Sequence, residues 1–427
     1  MNSATSVVIL RSGHHGGLGI VRSLGRLGVP VYSVDAAYWE PAFSSRYCRG
    51  RFVLKIESEA PHQSIARLLE IGQRLGGRPI LIPTTDEAAI WVAEHAAALQ
   101  EGYCFPSLDP FLIRLLCDKG RMQDLARRCG VPTARALVPG SKEDVERFLE
   151  TAAFPVMVKA TAADRFRQRT GGTKFVIQTP RELFELCAKA EDGIAPNLLI
   201  QEFIPGEDWM FDGYFDKNSQ CVFGVTGRKI RRFPVNTGVT SLGVCQRNET
   251  VEKTTIEFMK AIGYRGILDI GYRYDRRDGQ YKVLDVNPRI GCTFRLFTTT
   301  NGMDVVRAQY MDMTGQPVVP ADASEGRKWV VEDFDLLSAI RLWRDGSLKL
   351  KDWLRSFSGV DEAACFALDD PLPFLLMGLA DCCEWYRWLR CRMATRRPTR
   401  PKDIEGLSGS SIRCRDSRLN PSPSSEK

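Results

Sequence analysis

The sequence of 427 residues lacks the features that mark several large classes of protein. No apolar run reaches the roughly 18 residues that a membrane-spanning helix needs. The thirteen cysteines are scattered, without the paired C-x-x-C spacing of a zinc site. There is no secretory signal, so we expect buried or free thiols in a reducing cytoplasm. No stripe of Lys and Arg with interleaved aromatics is present, which argues against nucleic-acid binding.

The composition is that of an ordinary soluble globular chain. Apolar residues make up 44% and charged residues 26% of the sequence, which are common values. The net charge of +7 is a weak indication of anionic partners, because much of it lies in the C-terminal tail. The length allows about two or three domains with sizeable cores.

Two alternating apolar and polar stretches, residues 266–274 and 281–289, flank a polar turn and predict a β-hairpin. If the hairpin is symmetric about Arg277, Asp269 lies directly opposite Asp285. Cβ atoms of such a pair are roughly 4.5–5.5 Å apart, and like charges there destabilise a sheet. We therefore expect a cation to lie between the two carboxylates.

The same hairpin contributes two more polar side chains to this cluster. Period two places Asn287 on the face of Asp285. Two carboxylates and an amide oxygen suit a Mg²⁺ ion that also carries phosphate oxygens and water. Arg289 follows two residues later and would face the same cluster. The alternative is an ordinary hairpin whose acids point into water.

Residues 1–115 have the pattern of a doubly wound α/β unit. A buried strand at 6–10 leads into a glycine-rich turn at 11–19, a helical stretch, and a second strand that ends at Asp35. The glycines of the turn are Gly13, Gly16, Gly17 and Gly19, which do not form the G-x-G-x-x-G of dinucleotide sites. We expect the turn to hold a substrate carboxylate or another anion at the helix N-terminus. A dinucleotide site and a purely structural turn are the alternatives.

Another buried strand, at residues 79–83, ends in polar residues that include Thr84 and Asp86. Ligands of open parallel sheets bind beyond the carboxyl ends of the strands. We therefore expect Thr84 and Asp86 to line one crevice with Gly16 and Gly17. The alternative is a helix N-cap, which does not exclude binding.

Further along, two neighbouring stretches combine cations and glycines with buried strands. Residues 154–159 form an apolar strand that carries Lys159 at its end, and such a lysine needs an anionic partner or an exit to solvent. Residues 165–174 read as a basic hairpin tip containing Gly171 and Gly172. Backbone N–H groups at these glycines could close over phosphates.

The order of these features resembles the ATP-grasp superfamily, which includes biotin carboxylase, carbamoyl-phosphate synthase and D-alanine–D-alanine ligase. The motifs that carry the resemblance are Lys119 in a capped helix, the strand 155–159, Gly171 and Gly172, the strand and Pro-Gly turn at 201–208, Asp269, and residues 285–289. They cover roughly residues 1–315. The resemblance implies an ATP-grasp fold preceded by a Rossmann-like parallel α/β domain.

The resemblance also implies roles for individual residues in nucleotide binding. The phosphates would be met by Lys119, Lys159, Gly171 and Gly172. The adenine would lie against a linker formed by Gln201, Glu202, Phe203 and Ile204, largely through backbone groups. The ribose hydroxyls would be held by Asp208 or, less securely, by Glu207.

For the metal, the resemblance points to the residues that the hairpin pattern already indicates. Mg²⁺ or Mn²⁺ would be held by Asp269, Asp285 and Asn287. Many family members carry Glu in at least one of these positions, so the shorter Asp would hold the cation nearer the strand or through water. Catalysis would involve Lys159 and Arg289, the latter steadying the transferred phosphoryl group or the intermediate.

These parts imply a Mg-ATP-dependent ligase that forms a carbon–nitrogen bond. ATP converts a carboxylate to an acylphosphate, an amine attacks it, and positive donors stabilise the oxyanion. The partners would be a small-molecule carboxylate and an amine, with no nucleic acid. The alternatives are a non-catalytic nucleotide-binding regulatory protein and a dinucleotide-dependent oxidoreductase.

A basic stretch at residues 227–243 is the candidate for substrate recognition. It contains the cations Arg228, Lys229, Arg231 and Arg232. Because the stretch lies between the nucleotide motifs, we expect Arg228, Lys229 and Arg231 to contact the acid substrate. The alternative is a solvated strand whose cations face water.

The expected domains are 1–115, 116–318, a C-terminal extension at 319–398, and a disordered tail at 399–427. Residues 371–393 predict an amphipathic helix whose apolar stripe includes Leu375 and Leu379. Its arginines suit an anionic membrane surface, and docking on the core or on another subunit is the alternative. We expect a cytoplasmic protein, with this helix as the route to any peripheral membrane contact.

Overall fold

The computed structural model describes residues 2–37, 40–56, 59–160, 163–190, 198–235 and 237–379. These residues form three β-sheets, of four, seven and four strands, together with the helices that cover them. The described chain is therefore mixed α/β, as the sequence predicts. Among the described residues, no helix combines the length and the apolar character that crossing a bilayer requires.

The first sheet is parallel. Its strands are β1 (Val7–Leu10), β2 (Val31–Asp35), β3 (Cys48–Val53) and β4 (Ile80–Pro83), in the order β3-β2-β1-β4. The helices are α1 (His15–Gly25), α2 (Pro41–Ser44), α3 (Pro61–Leu75), α4 (Asp86–Glu94) and α5 (Ala96–Leu99). All four residues of β1 are buried, as expected for a parallel sheet with helices on both faces.

Two helices, α6 (Pro110–Cys117) and α7 (Lys119–Arg128), lead to a second sheet. Its strands are β5 (Ala136–Leu137), β6 (Val156–Ala160), β7 (Lys174–Ile177) and β8 (Leu198–Glu202), antiparallel in the order β5-β8-β6-β7. The helices are α8 (Lys142–Leu149), α9 (Ala163–Thr170) and α10 (Pro180–Ala190). Phe148 and Leu183 bury their side chains against this sheet.

The third sheet has seven strands. They are β9 (Asp208–Phe215), β10 (Cys221–Phe233), β11 (Val239–Cys245), β12 (Gly266–Asp275), β13 (Gln280–Asn287), β14 (Lys328–Val330) and β15 (Val360–Ala363). The helices are α11 (Glu249–Ala261), α12 (Val305–Met313), α13 (Glu332–Arg344) and α14 (Leu350–Ser356). The strand order is β13-β12-β9-β10-β11-β14-β15. Phe211 packs with Phe258 on one face, while Met210 lies in the cluster that includes Phe294 and Ile20.

The C-terminal extension is part of this sheet, so the expected boundary at residue 319 does not separate two packed units. β14 pairs with β11 and β15 pairs with β14. Arg22 of α1 then binds the end of the extension, with its Nε 2.9 Å from Asp370 Oδ2. Both side chains are buried. The first and third sheets are thereby joined through the extension.

A helix occupies residues 372–379, and the rest of the predicted 371–393 helix lies outside the described residues, as does the 399–427 tail. In the described part, Leu375 and Leu379 of the predicted apolar stripe are 56% and 62% exposed, whereas Phe374 and Met377 pack against the core. The helix therefore packs on the core through the face next to the stripe. Docking of these two leucines on the core, one of the predicted alternatives, is wrong.

Replacing Asp370 with Ala is expected to destabilise the fold by about 3–5 kcal/mol, because it leaves the buried Arg22 guanidinium without its counterion. Urea unfolding followed by circular dichroism measures the change. The control is Asp369→Ala, since Asp369 pairs with Arg26 at the surface and should cost less than about 1 kcal/mol. Equal losses in the two variants would contradict the role given to Asp370.

Candidate active site

The β12–β13 hairpin carries the predicted metal ligands in an unexpected register. Asp269 pairs with Asn287, and Gly271 pairs with Asp285, so the prediction that Asp269 lies opposite Asp285 is wrong. A register shift between Gly271 and Tyr272 places one extra residue in β13 and displaces the pairs beyond it. The carboxylates and the amide nevertheless share one face of the sheet.

The Asn287 amide lies within hydrogen-bonding distance of both carboxylates. Its Nδ2 donates to Asp269 Oδ2 at 3.1 Å and to Asp285 Oδ2 at 3.4 Å. With this amide turned so that its oxygen faces the carboxylates, the three side chains would offer the oxygen ligands that suit Mg²⁺ or Mn²⁺. Within the described residues no cluster of three or more His, Cys, Asp or Glu side chains could hold a metal. A cation here would therefore depend on phosphate and water for its remaining ligands.

The two carboxylates differ in pKa. Burial raises the pKa of Asp269 to about 6, with Arg289 opposing the rise and Asp285 adding to it. Burial would also raise the pKa of Asp285, but the positive charges around it hold that pKa below its ordinary value. These charges belong to Lys229, Lys174, Lys159 and Lys119. Asp285 is therefore ionised at neutral pH, as a metal ligand must be.

Three lysines face these carboxylates from the second sheet and from α7. Lys159 of β6 pairs across the sheet with Lys174 of β7, and Lys119 Nζ donates to the Ala160 carbonyl at 3.3 Å. Burial and then the charge of Lys174 lower the pKa of Lys159 to about 7. Such a cluster is suited to an anion as highly charged as a polyphosphate. Sequence analysis missed Lys174, although its place directly after the glycine turn was a usable signal.

The glycine turn is built differently from the expected hairpin tip. Residues 165–170 belong to α9, and Gly171 follows with a φ of +79°, a conformation that commonly ends a helix and favours glycine. β7 then begins at Lys174. The turn thus remains next to the lysines, but it joins a helix to a strand.

The predicted adenine linker runs from the end of β8 into the following loop. Gln201 and Ile204 are 2% exposed, and the Glu202 carboxylate is bound by Arg277 and Lys282 at 2.9 and 3.6 Å. Phe203 lies under the Arg273 guanidinium, 5.7 Å from its ring centroid. Because the Glu202 side chain is already paired, this segment can offer a base chiefly its backbone.

The predicted ribose acid is engaged by two arginines. Asp208 is buried and lies 2.6 Å from Arg273 and from Arg232. Glu207 is more exposed and lies 3.7 Å from Arg276. A ribose could reach the Asp208 carboxylate only in competition with the arginines, so Glu207 is the more accessible acid.

Arg289 links the metal hairpin to the first sheet. Its Nε donates to Asp86 Oδ1 at 2.8 Å, one terminal nitrogen donates to the Ile290 carbonyl at 3.0 Å, and the other donates to Asn287 Oδ1 at 3.3 Å. Asp86, which was predicted to line a crevice with the glycine turn, therefore lies beside the metal hairpin. Asp86, however, faces an arginine of the same chain.

The other residues predicted to line the crevice have structural contacts. Thr84 is 1% exposed, and its hydroxyl donates to the carbonyl of Arg11. A Cβ at Gly17 would lie 2.3 Å from the Ser12 carbonyl oxygen, and one at Gly16 would lie 2.7 Å from the His14 ring. Our assignment of Thr84 to the substrate is wrong because the side chain is buried. The two glycines are needed for close packing.

His14 and Cys292 form a contact that sequence analysis missed, having taken Cys292 as a packing residue. The His14 Nδ1 and Cys292 Sγ atoms are 3.4 Å apart, and His14 Nε2 lies 3.2 Å from the Thr84 carbonyl. Burial would raise the pKa of Cys292, but His14 and then Arg289 lower it overall. The two residues are 278 positions apart, so no local pattern could reveal the pair.

The basic strand β10 divides its cations between two faces. Lys229 lowers the pKa of both Asp285 and Asp269 and so lies in the candidate site. Arg231 is buried and forms two 2.8 Å hydrogen bonds with Asp335, while Arg228 Nε lies 3.3 Å from Gln246 Oε1. Assigning Arg228 and Arg231 to the substrate is therefore wrong. Register irregularities between Lys229 and Arg232 set which cations lie on each face.

Asp212 is a further acid of the site that the sequence analysis did not identify. It pairs across the sheet with Asp269 and is fully buried. Neither carboxylate oxygen has a hydrogen-bond partner among the described residues. Burial, with the charge of Asp269, raises its pKa well above the ordinary value. The signal for Asp212 in the sequence was an acidic residue inside the otherwise apolar run 209–215.

Comparison with known proteins gives one family match and a set of distant relatives. Residues 242–318 match the model "Carbamoyl-phosphate synthase L chain, ATP binding domain". The D-aspartate ligase of Enterococcus faecium (strain Aus0004) is 27% identical over 241 residues, which is 53% of this chain and 57% of that protein. The chain thus spans little more than half of that relative.

Solved structures share the architecture. The N5-carboxyaminoimidazole synthetase of Staphylococcus aureus superposes with a TM-score of 0.58 at 15% identity, over 76% of this chain and 81% of that chain. The biotin carboxylase domain of the Hydrogenobacter thermophilus 2-oxoglutarate carboxylase, solved with MgADP, gives 0.55 at 17% identity over 74% and 71%. These likenesses confirm the predicted ATP-grasp fold.

Binding of MgADP at about pH 8 is expected to take up protons, because nearby phosphates favour the charged form of Lys159 over the neutral form that burial favours. Without ligand, the free energy of unfolding should fall as the pH drops from 10.5, the ordinary pKa of lysine, to about 7, the pKa of Lys159 in the folded protein. Calorimetry in two buffers of different ionisation enthalpy measures the uptake. Lys159→Arg should reduce it, since arginine stays charged. An unchanged uptake in that variant would refute the assignment.

Proposed function

We propose that this chain, which has the ATP-grasp fold, is a Mg-ATP-dependent ligase that joins a carboxylate to an amine. The observation that carries the proposal is the meeting of two sheets at one site. Asp285 of β13 lies within electrostatic range of Lys159 and Lys174 of the second sheet. Acids for a cation and lysines for phosphates are the two halves of a phosphoryl-transfer site.

We assign the charged residues to separate tasks. Lys119, Lys159 and Lys174 hold the phosphates of ATP. A cation held by Asp269, Asp285 and Asn287 would neutralise charge on the phosphate oxygens. Arg289 is already oriented by Asp86 and Asn287, so it meets the reacting group with little loss of side-chain freedom.

The proposed reaction has two steps. The γ-phosphoryl group of ATP passes to the carboxylate, and ADP leaves. The amine then attacks the carbonyl carbon of the acylphosphate, phosphate leaves, and a carbon–nitrogen bond forms. We assign Arg289 to the oxyanion and Lys229 to the carboxylate of the acid substrate, because both side chains are positively charged.

Two other functions are less well supported. A non-catalytic nucleotide-binding protein would not require an arginine for the reacting group, whereas Arg289 lies beside the proposed metal ligands and is held there by Asp86 and Asn287. A dinucleotide site would need space at the glycine turn, where Gly16 instead packs against His14 and the Cys292 backbone. The cytoplasmic location stays a prediction from the sequence.

The experiment that tests the function is a screen for phosphate release. Purified protein is incubated with Mg-ATP and pairs of compounds, with amino acids first because one similar protein is a D-aspartate ligase, followed by sugar acids. We expect ADP and phosphate release that depends on an added acid. Binding of MgADP without turnover for any pair would instead favour the non-catalytic function.

Asp285→Asn is expected to lower ADP formation at least about a hundredfold, because it removes a charged metal ligand worth several kcal/mol to the transition state. Acid-stimulated turnover at millimolar Mg²⁺ measures the loss. The matched control is Asp278→Asn in the turn of the same hairpin, where the acid lies 2.8 Å from Lys282. The control should keep its activity, and full turnover by Asp285→Asn would remove the metal assignment.

Lys229→Ala is expected to raise the KM for the acid substrate by about tenfold or more, with a smaller effect on the KM for ATP, because Lys229 lies beside the ligands and apart from the nucleotide linker. Arg228→Ala is the control, since Arg228, the neighbour of Lys229 along β10, faces away and contacts Gln246. Steady-state kinetics with each substrate varied in turn separates the two constants. If both variants behave alike, Lys229 has no part in binding the acid.

A further inference from the structure

An apolar groove lies between α13 and α14, apart from the candidate active site. Its volume is about 250 Å³. Leu336, Ile340, Trp343, Leu348, Leu350 and Trp353 line it. Trp343 and Leu350 are 64% and 61% exposed, and the neighbouring Leu354 is 58% exposed. Single exposed apolar residues are common, but a contiguous patch of this kind marks a surface that binds something.

The floor of the groove is held firmly by the sheet. Trp353 Nε1 donates to Asp335 Oδ2 at 2.9 Å, and Asp335 is the partner of Arg231 in β10. Trp353 is thus fixed, while Trp343 projects at the rim. A fixed floor with protruding aromatic and leucine side chains presents a preformed surface to a ligand.

The rim of the groove is basic. Residues 339–356 contain five cations and two acids. The cations are Arg341, Arg344, Lys349, Lys351 and Arg355, and all are exposed. One of them, Arg341, pairs with Asp345 at 3.2 Å. Lys349 lines the groove itself, and the net positive charge of this stretch favours an anionic ligand.

Charge argues against two other occupants of the groove. The sequence that follows the described residues, 380–400, carries six arginines and two acids, so docking it in the groove would bring like charges together. A second copy of the chain would set the same basic rim against itself. Both arrangements are disfavoured by electrostatic repulsion.

We propose that the α13–α14 groove is a docking surface for an anionic lipid bilayer. Trp343, Leu350 and Leu354 enter the interface between headgroups and acyl chains, a depth that tryptophan prefers. The basic rim faces the lipid phosphates. The surface is independent of the proposed ligase activity.

Sedimentation of the full chain with vesicles tests the proposal. Phosphatidylcholine vesicles are compared with vesicles that also contain phosphatidylglycerol, at low and at high salt. We expect binding to the anionic vesicles alone, weaker at high salt. The double variant Trp343→Ser, Leu350→Ser should lower the vesicle affinity by about tenfold or more. Phe111→Ser is the control, because Phe111 is 63% exposed on α6 and should leave the affinity unchanged.

Three results would overturn the proposal. Unchanged affinity in the double variant would assign vesicle binding to the C-terminal residues alone. Equal binding to neutral vesicles would remove the role of the basic rim. Self-association that the double variant abolishes, without vesicle binding by the parent chain, would make the groove an interface between copies. MgADP binding by each variant, measured in parallel, verifies that the fold is intact.

Discussion

Charge compensation between two sheets is the constraint on which the candidate site depends. Burying a carboxylate costs several kcal/mol unless positive charge faces it. The lysines of the second sheet and Lys229 provide that charge for Asp285 and keep it ionised. The lysines in turn repel one another, which is part of why the pKa of Lys159 falls. The carboxylates and the lysines thus lower the cost of burying each other. A bound cation would balance the carboxylates further, and polyphosphate would balance the lysines.

Three arginines connect the candidate site and the sheets around it to other parts of the chain. Arg289 contacts the hairpin that bears the metal ligands and, through Asp86, the loop after β4. Arg22 binds Asp370 at the end of the extension, and Arg231 holds Asp335 at the base of α13. Each forms its contact between segments far apart in sequence. The site is therefore rigid because the tertiary contacts around it are charged and directional.

Some of this could be predicted from the sequence and some could not, for physical reasons. Period two identified the face shared by Asp269, Asp285 and Asn287, because alternation is a local property of a strand. The register failed by two residues, because the turn is centred between Arg277 and Asp278 and one further residue is inserted in β13. Neither feature leaves a mark in the alternating pattern. The contact between His14 and Cys292 joins the two ends of the fold and has no local signal. β14 was missed because its three residues are too few to show a period.

The irregularity around Ile230 has a consequence for how such a site can change. It lets Lys229 and Arg232 lie on the side of the acids, with Arg228 and Arg231 on the other. Deleting Ile230 would remove the extra residue and leave Lys229 and Arg232 two positions apart, still on the side of the acids. Plain alternation at the present length would instead bring Arg231 to that side and take Arg232 away from it. The irregularity, and not the order of the charges alone, therefore decides which arginine joins Lys229 beside the acids.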